Sequence, residues 1–251
     1  MQLPWLAPGE PVPEAASAWG PHDPVPGLLA AGGALNVESL LQAYSNGVFP
    51  WFSEGQPILW WSPDPRMTLD VSRFRVHRSM SRTLKQFICD PRCEVRFDSQ
   101  FDAVIDACSK MPRTGQSGTW IVPEMIHAYG ELHRAGHAHS VETWIDGQLT
   151  GGLYCVNVGQ AVFGESMFAL RADASKIALS ALVAFCRQHG IRMIDCQQNT
   201  AHLASLGAAE MPRFQFVAHV ARARQQAAPT WRFDPVYWTQ LLSARPLNPT
   251  T

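Results

Sequence analysis

Phe163-Gly164-Glu165-Ser166-Met167-Phe168, then Ala174-Ser175-Lys176, then Ile194-Asp195-Cys196-Gln197 read as a strand, the start of a helix and a returning strand. The first strand is expected over 160 to 168. The helix is expected from Ala174 to His189, capped by Asp173 or Ser175 and stopped by Gly190, and the second strand from Ile191 to Cys196. Just upstream, 138 to 145 and 148 to 156 alternate as two further strands joined by Asp146-Gly147, a hairpin turn. Three antiparallel strands followed by a crossover helix predict a mixed sheet with helices on its faces, an α+β (mixed α/β) fold. Within this apolar frame stand Glu165 and Asp195, where an uncompensated charge costs several kcal/mol, so both positions are expected to carry a task.

Outward from that unit the helical period returns. Ser79 to Ile88 puts Met80, Leu84 and Phe87 on one face, Phe101 to Cys108 is helical, and Pro123 opens a helix carrying Met125, Ile126, Tyr129 and Leu132. Cys93 to Phe97 is strand-like. Nearer the N-terminus, Asn36 is an expected N-cap with Glu38 in the first turn and Leu40, Leu41 and Tyr44 on one face, ending at Gly47. The aromatic loop Phe49-Pro50-Trp51-Phe52 follows, and the prolines at 63 and 65 mark a boundary. We expect a small N-terminal domain over 1–66, led in by an irregular Pro- and Gly-rich segment, and a larger catalytic domain over 67–251.

The 251 residues are enough for a full core, 46% of them are apolar, and no run approaches a membrane span. The first ten residues lack a basic segment followed by an apolar one, so no secretory signal is expected. Six scattered cysteines fit reduced thiols in a cytoplasmic protein. Neither Cys89 with Cys93 nor His137 with His139 and Glu142 completes a zinc ligand set, so no metal is expected. The net charge of −1 is unevenly spread: between 73 and 96 seven basic residues face two acidic ones, a local +5 and a candidate phosphate-binding surface.

Several longer motifs run in order along the chain: Gly47-Val48-Phe49-Pro50-Trp51-Phe52, Trp60-Trp61-Ser62-Pro63-Asp64-Pro65-Arg66, Gly118-Thr119-Trp120-Ile121, His137-Ala138-His139-Ser140-Val141-Glu142-Thr143-Trp144, Gly151-Gly152-Leu153-Tyr154 and Ser205-Leu206-Gly207-Ala208. Together with the opening stretch they resemble the bacterial leucyl/phenylalanyl-tRNA–protein transferases, over roughly residues 25 to 220. Two positions depart from the family pattern, Cys155 where Gly is usual and Ala169 where Ser is usual. The resemblance implies an acetyltransferase-like (GNAT-like) sheet and no cofactor. It also implies transfer of Leu, Phe and, less well, Met from aminoacyl-tRNA to a protein beginning with Lys or Arg, marking that protein for N-end rule degradation.

An aminoacyl-tRNA is an activated ester, so attack by a free α-amine chiefly needs the two reactants held together and a group to take the amine's proton. Asp195 and Gln197 are the first candidates. An extended strand puts them on one side, Asp195 as a base or an orienting group and Gln197 on the ester carbonyl or the leaving ribose oxygen. Glu165 either pairs with Lys176 or another cation, or holds an ammonium of the substrates, and the two readings are compatible. Trp51 and Trp120, with Phe49, are candidates for stacking on the terminal adenosine. Leu153, Val162, Met167, Leu179 and Ile194 are proposed to line the donor side-chain pocket, and Arg75, Arg78, Arg82 and Lys85 to contact tRNA phosphates. Two rival functions are an acyl-CoA-dependent N-acyltransferase, disfavoured because the turn Ala169 to Ala174 has no glycine, and a noncatalytic RNA-binding module, which leaves Asp195 and Glu165 unexplained.

Overall fold

The computed structural model describes residues 2–111 and 121–242. Up to Trp61 the chain forms a four-stranded sheet from β1 (Trp5–Leu6), β2 (Leu28–Gly32), β3 (Phe49–Pro50) and β4 (Leu59–Trp61), ordered β1-β2-β4-β3. Helix α1 (Val37–Ser45) joins β2 to β3. Asn36 caps it, its side chain accepting the Ser39 N–H at 2.9 Å, and Leu40, Ala43 and Tyr44 form its buried face. At Gly47 the chain turns with φ +74°, and a Cβ there would stand 3.0 Å from the Phe216 ring, so glycine is needed for both conformation and space.

The remaining elements are β5 (Arg66–Asp70), α2 (Arg78–Cys89), β6 (Cys93–Phe97), α3 (Phe101–Ser109), α4 (Pro123–Arg134), β7 (Ala138–Ile145), β8 (Gln148–Val158), β9 (Ala161–Ala169), α5 (Ala174–Gln188), β10 (Met193–Gln197), α6 (Ala201–Ser205), β11 (Ala209–Met211), α7 (Arg213–Ala223) and α8 (Thr239–Leu242). Seven strands make a mixed sheet in the order β11-β5-β10-β9-β8-β7-β6. Its neighbours are antiparallel apart from β9 and β10, the parallel pair that α5 connects. The meander and crossover expected from the sequence are therefore present. β5, β11 and α7 were not anticipated, because the strands are short and the prolines at 63 and 65 read as a boundary.

Each face of this sheet has its own core. One gathers the N-terminal sheet, α1, α3, α4 and α7 through Leu40, Trp60, Val104, Tyr129, Phe163 and Phe216; the other gathers α2, α5 and the C-terminal segment through Leu84, Val162, Leu182, Phe185 and Ile194. Because the first core runs from β2 and β4 straight into α3 and α4, the expected N-terminal unit shares its interior with the larger one. Among the described residues, no helix is long and apolar enough to cross a membrane.

What positions the site is a fork between the two parallel strands. Ile194 pairs with Val162 and Asp195 with Phe163, the last registered pair between these strands. β9 continues alongside β8 to Ala169, while β10 stops at Gln197. From Gly164 onward the strands diverge, and backbone that would have faced a neighbour opens onto a cavity.

Candidate active site

That cavity has a volume of about 660 Å³ and is walled by both arms of the fork, the first turns of α5 and the aromatic loop. Leu153, Met167, Leu179 and Ile194 supply apolar wall; Phe49, Trp51, Glu165, Asp195 and Gln197 also line it. The structure thus brings together most of the sequence-derived candidates. Val162 is not among the lining residues, its side chain being buried under α5. Trp120 lies outside the described residues. Trp51 is half-buried, its ring edge-on to Trp61 at 5.3 Å, and its carbonyl accepts the Trp61 indole N–H.

Asp195 is sealed, with 1% of its side chain exposed against 0% for Arg66. Arg66 Nε donates to Oδ1 at 2.8 Å and Nη2 to Oδ2 at 2.6 Å, a bidentate pair. Removing either partner strands a buried charge, at a cost of about 3–5 kcal/mol. Oδ1 also accepts the Gln197 backbone N–H at 2.9 Å, so Asp195 is fully engaged by protein groups.

Gln197 departs from the expected extended geometry. Register slips between Asp195 and Gln197, and Gln197 adopts φ +61°, the left-handed region that costs a non-glycine residue on the order of 1 kcal/mol. Its N–H, captured by the Asp195 carboxylate, turns the chain away from the strand. The side chain then reaches across the fork, where Nε2 donates to Glu165 Oε1 at 2.9 Å.

The same Glu165 oxygen accepts the Tyr44 hydroxyl at 2.7 Å, and Tyr44 in turn hydrogen-bonds the Tyr129 hydroxyl. Glu165 is half-buried as a residue. Its Oε2, however, is closed off from solvent and has no hydrogen-bond partner among the described residues. Burial raises its pKa from 4.5 to about 7; the hydrogen bonds from Tyr44 and Gln197 oppose the rise, Asp195 adds to it, and Arg66 opposes it. Burial and the Glu165 charge push both tyrosines well above the usual phenol range, so they stay neutral donors. Lys176, a possible partner of Glu165 from sequence, pairs with Asp173 at 2.7 Å instead. Asp173 holds the N-cap position in a left-handed conformation, with no side-chain cap bond.

Sequence reasoning missed Arg66, Tyr44 and Tyr129 as site residues. Arg66 closes the quoted Trp60 to Arg66 motif, and its contiguity with prolines concealed a strand start. The two tyrosines stood on apolar helix faces and read as packing. His202 is a further omission: it lines the cavity, and burial followed by Lys176 lowers its pKa. The Cys196 thiol is pushed well up by burial and by Asp195, which makes it a poor nucleophile.

Residues 33–64 match the N-terminal domain of the leucyl/phenylalanyl-tRNA protein transferases, and residues 68–221 match the main domain of the same family. The chain belongs to the leucyl/phenylalanyl-tRNA–protein transferase family. It is similar to the transferase of Polaromonas sp. (strain JS666), 64% identical over 242 residues that cover 96% of this chain and 95% of that one. It is 58% identical over 246 residues to the transferase of Albidiferax ferrireducens, covering 98% and 97% of the two chains. With that of Leptothrix cholodnii it shares 56% identity over 252 residues, covering 99% and 98%. This transferase is accordingly an enzyme of the aminoacyltransferase class, and the fork cavity is its candidate active site.

On the opposite side of the sheet from α1 and α4, the expected phosphate-binding stretch divides in two. Arg92 pairs with Asp90, Arg96 with Glu94 and Arg73 with Asp70. Arg75, Arg78, Arg82 and Lys85 are exposed along and just before α2, whose other face buries Met80, Leu84 and Phe87, and no ion pair engages them among the described residues.

Proposed function

We propose that this transferase moves Leu, Phe and, less well, Met from aminoacyl-tRNA to the α-amine of proteins that begin with Lys or Arg, marking them for N-end rule degradation in the cytoplasm. The observation that carries the reading is the apolar fork cavity with a carboxyl of pKa about 7, Glu165, held beside Gln197. The amine nitrogen attacks the ester carbonyl, the carbon–oxygen bond to the ribose breaks, the amine loses a proton and the ribose oxygen gains one. An α-amine titrates near 8, so a carboxylate of pKa about 7 is well matched to accept its proton. Glu165 is the proton acceptor in this scheme. Asp195, occupied by Arg66 and the Gln197 N–H, is the orienting group, and the Gln197 amide holds the ester carbonyl or the leaving oxygen.

Trp51, with Trp120, stacks on the terminal adenosine in this reading, while Phe49, expected from the sequence to join them, is buried with its ring against Arg66 and backs the loop instead. Arg75, Arg78, Arg82 and Lys85 take phosphates of the acceptor stem. Donor choice follows from shape. Leu153, Met167, Leu179 and Ile194 surround an apolar space that accepts γ-branched, unbranched and flat side chains, while branching at Cβ crowds the reacting carbonyl. One methylene is worth only ~1–3 kcal/mol in such a pocket, so exclusion of Val and Ile rests on sterics. Competition among Leu-, Phe-, Met-, Val- and Ile-tRNA tests this. Leu, Phe and Met transfer, Val and Ile do not, and Met167→Ala changes the Phe to Leu ratio. Equal transfer of Ile and Leu by the wild type would refute the pocket.

A further inference from the structure

We propose that Arg66 is a positioning residue that ties the aromatic loop to the conformation of Gln197. The inference rests on the transfer reading above, since it assigns a consequence to two parts of that site. Arg66 is fully buried at the start of β5, yet each of its three guanidinium nitrogens has a partner elsewhere in the chain. Nε and Nη2 hold Asp195 on β10, and Nη1 donates to the Gly47 carbonyl at 3.3 Å. The guanidinium plane lies between two rings, 4.7 Å from the Phe49 centroid and 4.4 Å from that of Phe216 on α7. Ser62 Oγ donates to the same Gly47 carbonyl at 3.2 Å, which fixes the strand of chain leading into Phe49.

The consequence is a short mechanical chain. Phe49 and Trp51 line the cavity on one side and Gln197 on the other. Between them stand Phe49 against Arg66, Arg66 on Asp195, and Asp195 Oδ1 on the Gln197 N–H that holds its left-handed turn. Only with that turn does the Gln197 amide point to Glu165 rather than along the strand. A lysine at position 66 keeps the charge and loses the fork that fits a carboxylate and two rings at once. Displacements of about 1 Å in a reacting group cost on the order of 10²-fold in rate.

The test is single-turnover transfer of labelled Leu from tRNA to a Lys-first peptide, by wild type, Arg66→Lys and Phe216→Leu, each well below its melting temperature. Phe216 does not line the cavity, so a purely structural role would lower its melting point and leave the rate of the folded enzyme unchanged. The proposal expects transfer to fall about 100-fold in Arg66→Lys and about 10-fold in Phe216→Leu, with half-saturation by tRNA within about threefold of wild type. If Arg66→Lys does not fold, Phe216→Leu decides the matter alone. Wild-type rates in a folded variant overturn the role of Arg66 while the transfer reading stands. A wild type that transfers nothing overturns both.

Discussion

Glu165 shows how one side chain is tuned by what surrounds it. Its folded pKa lies above the unfolded value, so the protonated form is favoured by folding. That contribution is complete below pH 4.5 and is lost as pH rises through about 7, with about 3 kcal/mol separating the extremes. Glu165→Gln cannot ionise, so it is expected to match the wild type in stability near pH 4 and to exceed it by up to ~3 kcal/mol at pH 8. Denaturant titrations at the two pH values measure the difference. The same substitution should slow transfer by ~10²-fold or more and remove an inflexion near pH 7 from the rate profile. A profile unchanged in Glu165→Gln would dismiss Glu165 as proton acceptor. At this scale the sequence disclosed which residues were anomalous, since Glu165 and Asp195 are charges in apolar strands. It did not disclose their partners: Arg66 is 129 residues from Asp195 and Tyr44 is 121 from Glu165. Nor does alternation along a strand foretell a bulge, so Gln197 was placed on the wrong geometry.

Among elements, those with a sustained period were legible. The helices from 78 to 134 and the strands from 138 to 169 start and stop within a few residues of their sequence-derived bounds, because each has a continuous buried face. β5 is different: Met67 and Leu69 do alternate with Arg66, Thr68 and Asp70, but five residues behind two prolines are a weak signal. The His137 to Trp144 motif had suggested metal ligands only superficially, and the structure gives it work as a brace. Glu142, fully buried on β7, accepts the N–H groups of Ser99 and Gln100 at 2.9 and 2.8 Å, the Ser99 and Ser140 hydroxyls and the Trp144 indole, and so holds the start of α3 to the sheet. The Asp98 carboxylate accepts from His139 Nδ1 at 2.7 Å, and the His139 ring stacks on Trp231 at 4.0 Å. Glu142→Ala strands the buried Ser140 hydroxyl and several part-buried donors and should cost ~3 kcal/mol in stability, read by thermal or chemical unfolding. α2 carries the other prediction at this scale. Reversing Arg78 and Arg82 to Glu should weaken tRNA binding for every donor alike and flatten the salt dependence by roughly one to two units of logarithmic slope. An unchanged slope would put the RNA on another surface.

Across the whole molecule, the proposed function depends on where the sheet fails to continue. α5 lets β9 and β10 run parallel for two registered residues, and their divergence provides the space that a fully paired sheet would have closed. The N-terminal sheet then closes one wall of that space with Phe49, Pro50 and Trp51, and the core it shares with α3 and α4 fixes it there. Net charge of −1 offers no global attraction to RNA, and the exposed cations of α2 are the surface proposed to take its phosphates. The central claim is that this fork joins an aminoacyl ester to a free N-terminal amine. Labelled Leu-tRNA mixed under single-turnover conditions with peptides differing in their first residue, and with an N-acetylated Lys-first peptide, tests it most directly. The account predicts label on the Lys- and Arg-first peptides, none on the acetylated one, and a loss of about 10²-fold or more in Gln197→Ala. Label on the acetylated peptide, or wild-type rates in Gln197→Ala, would contradict it.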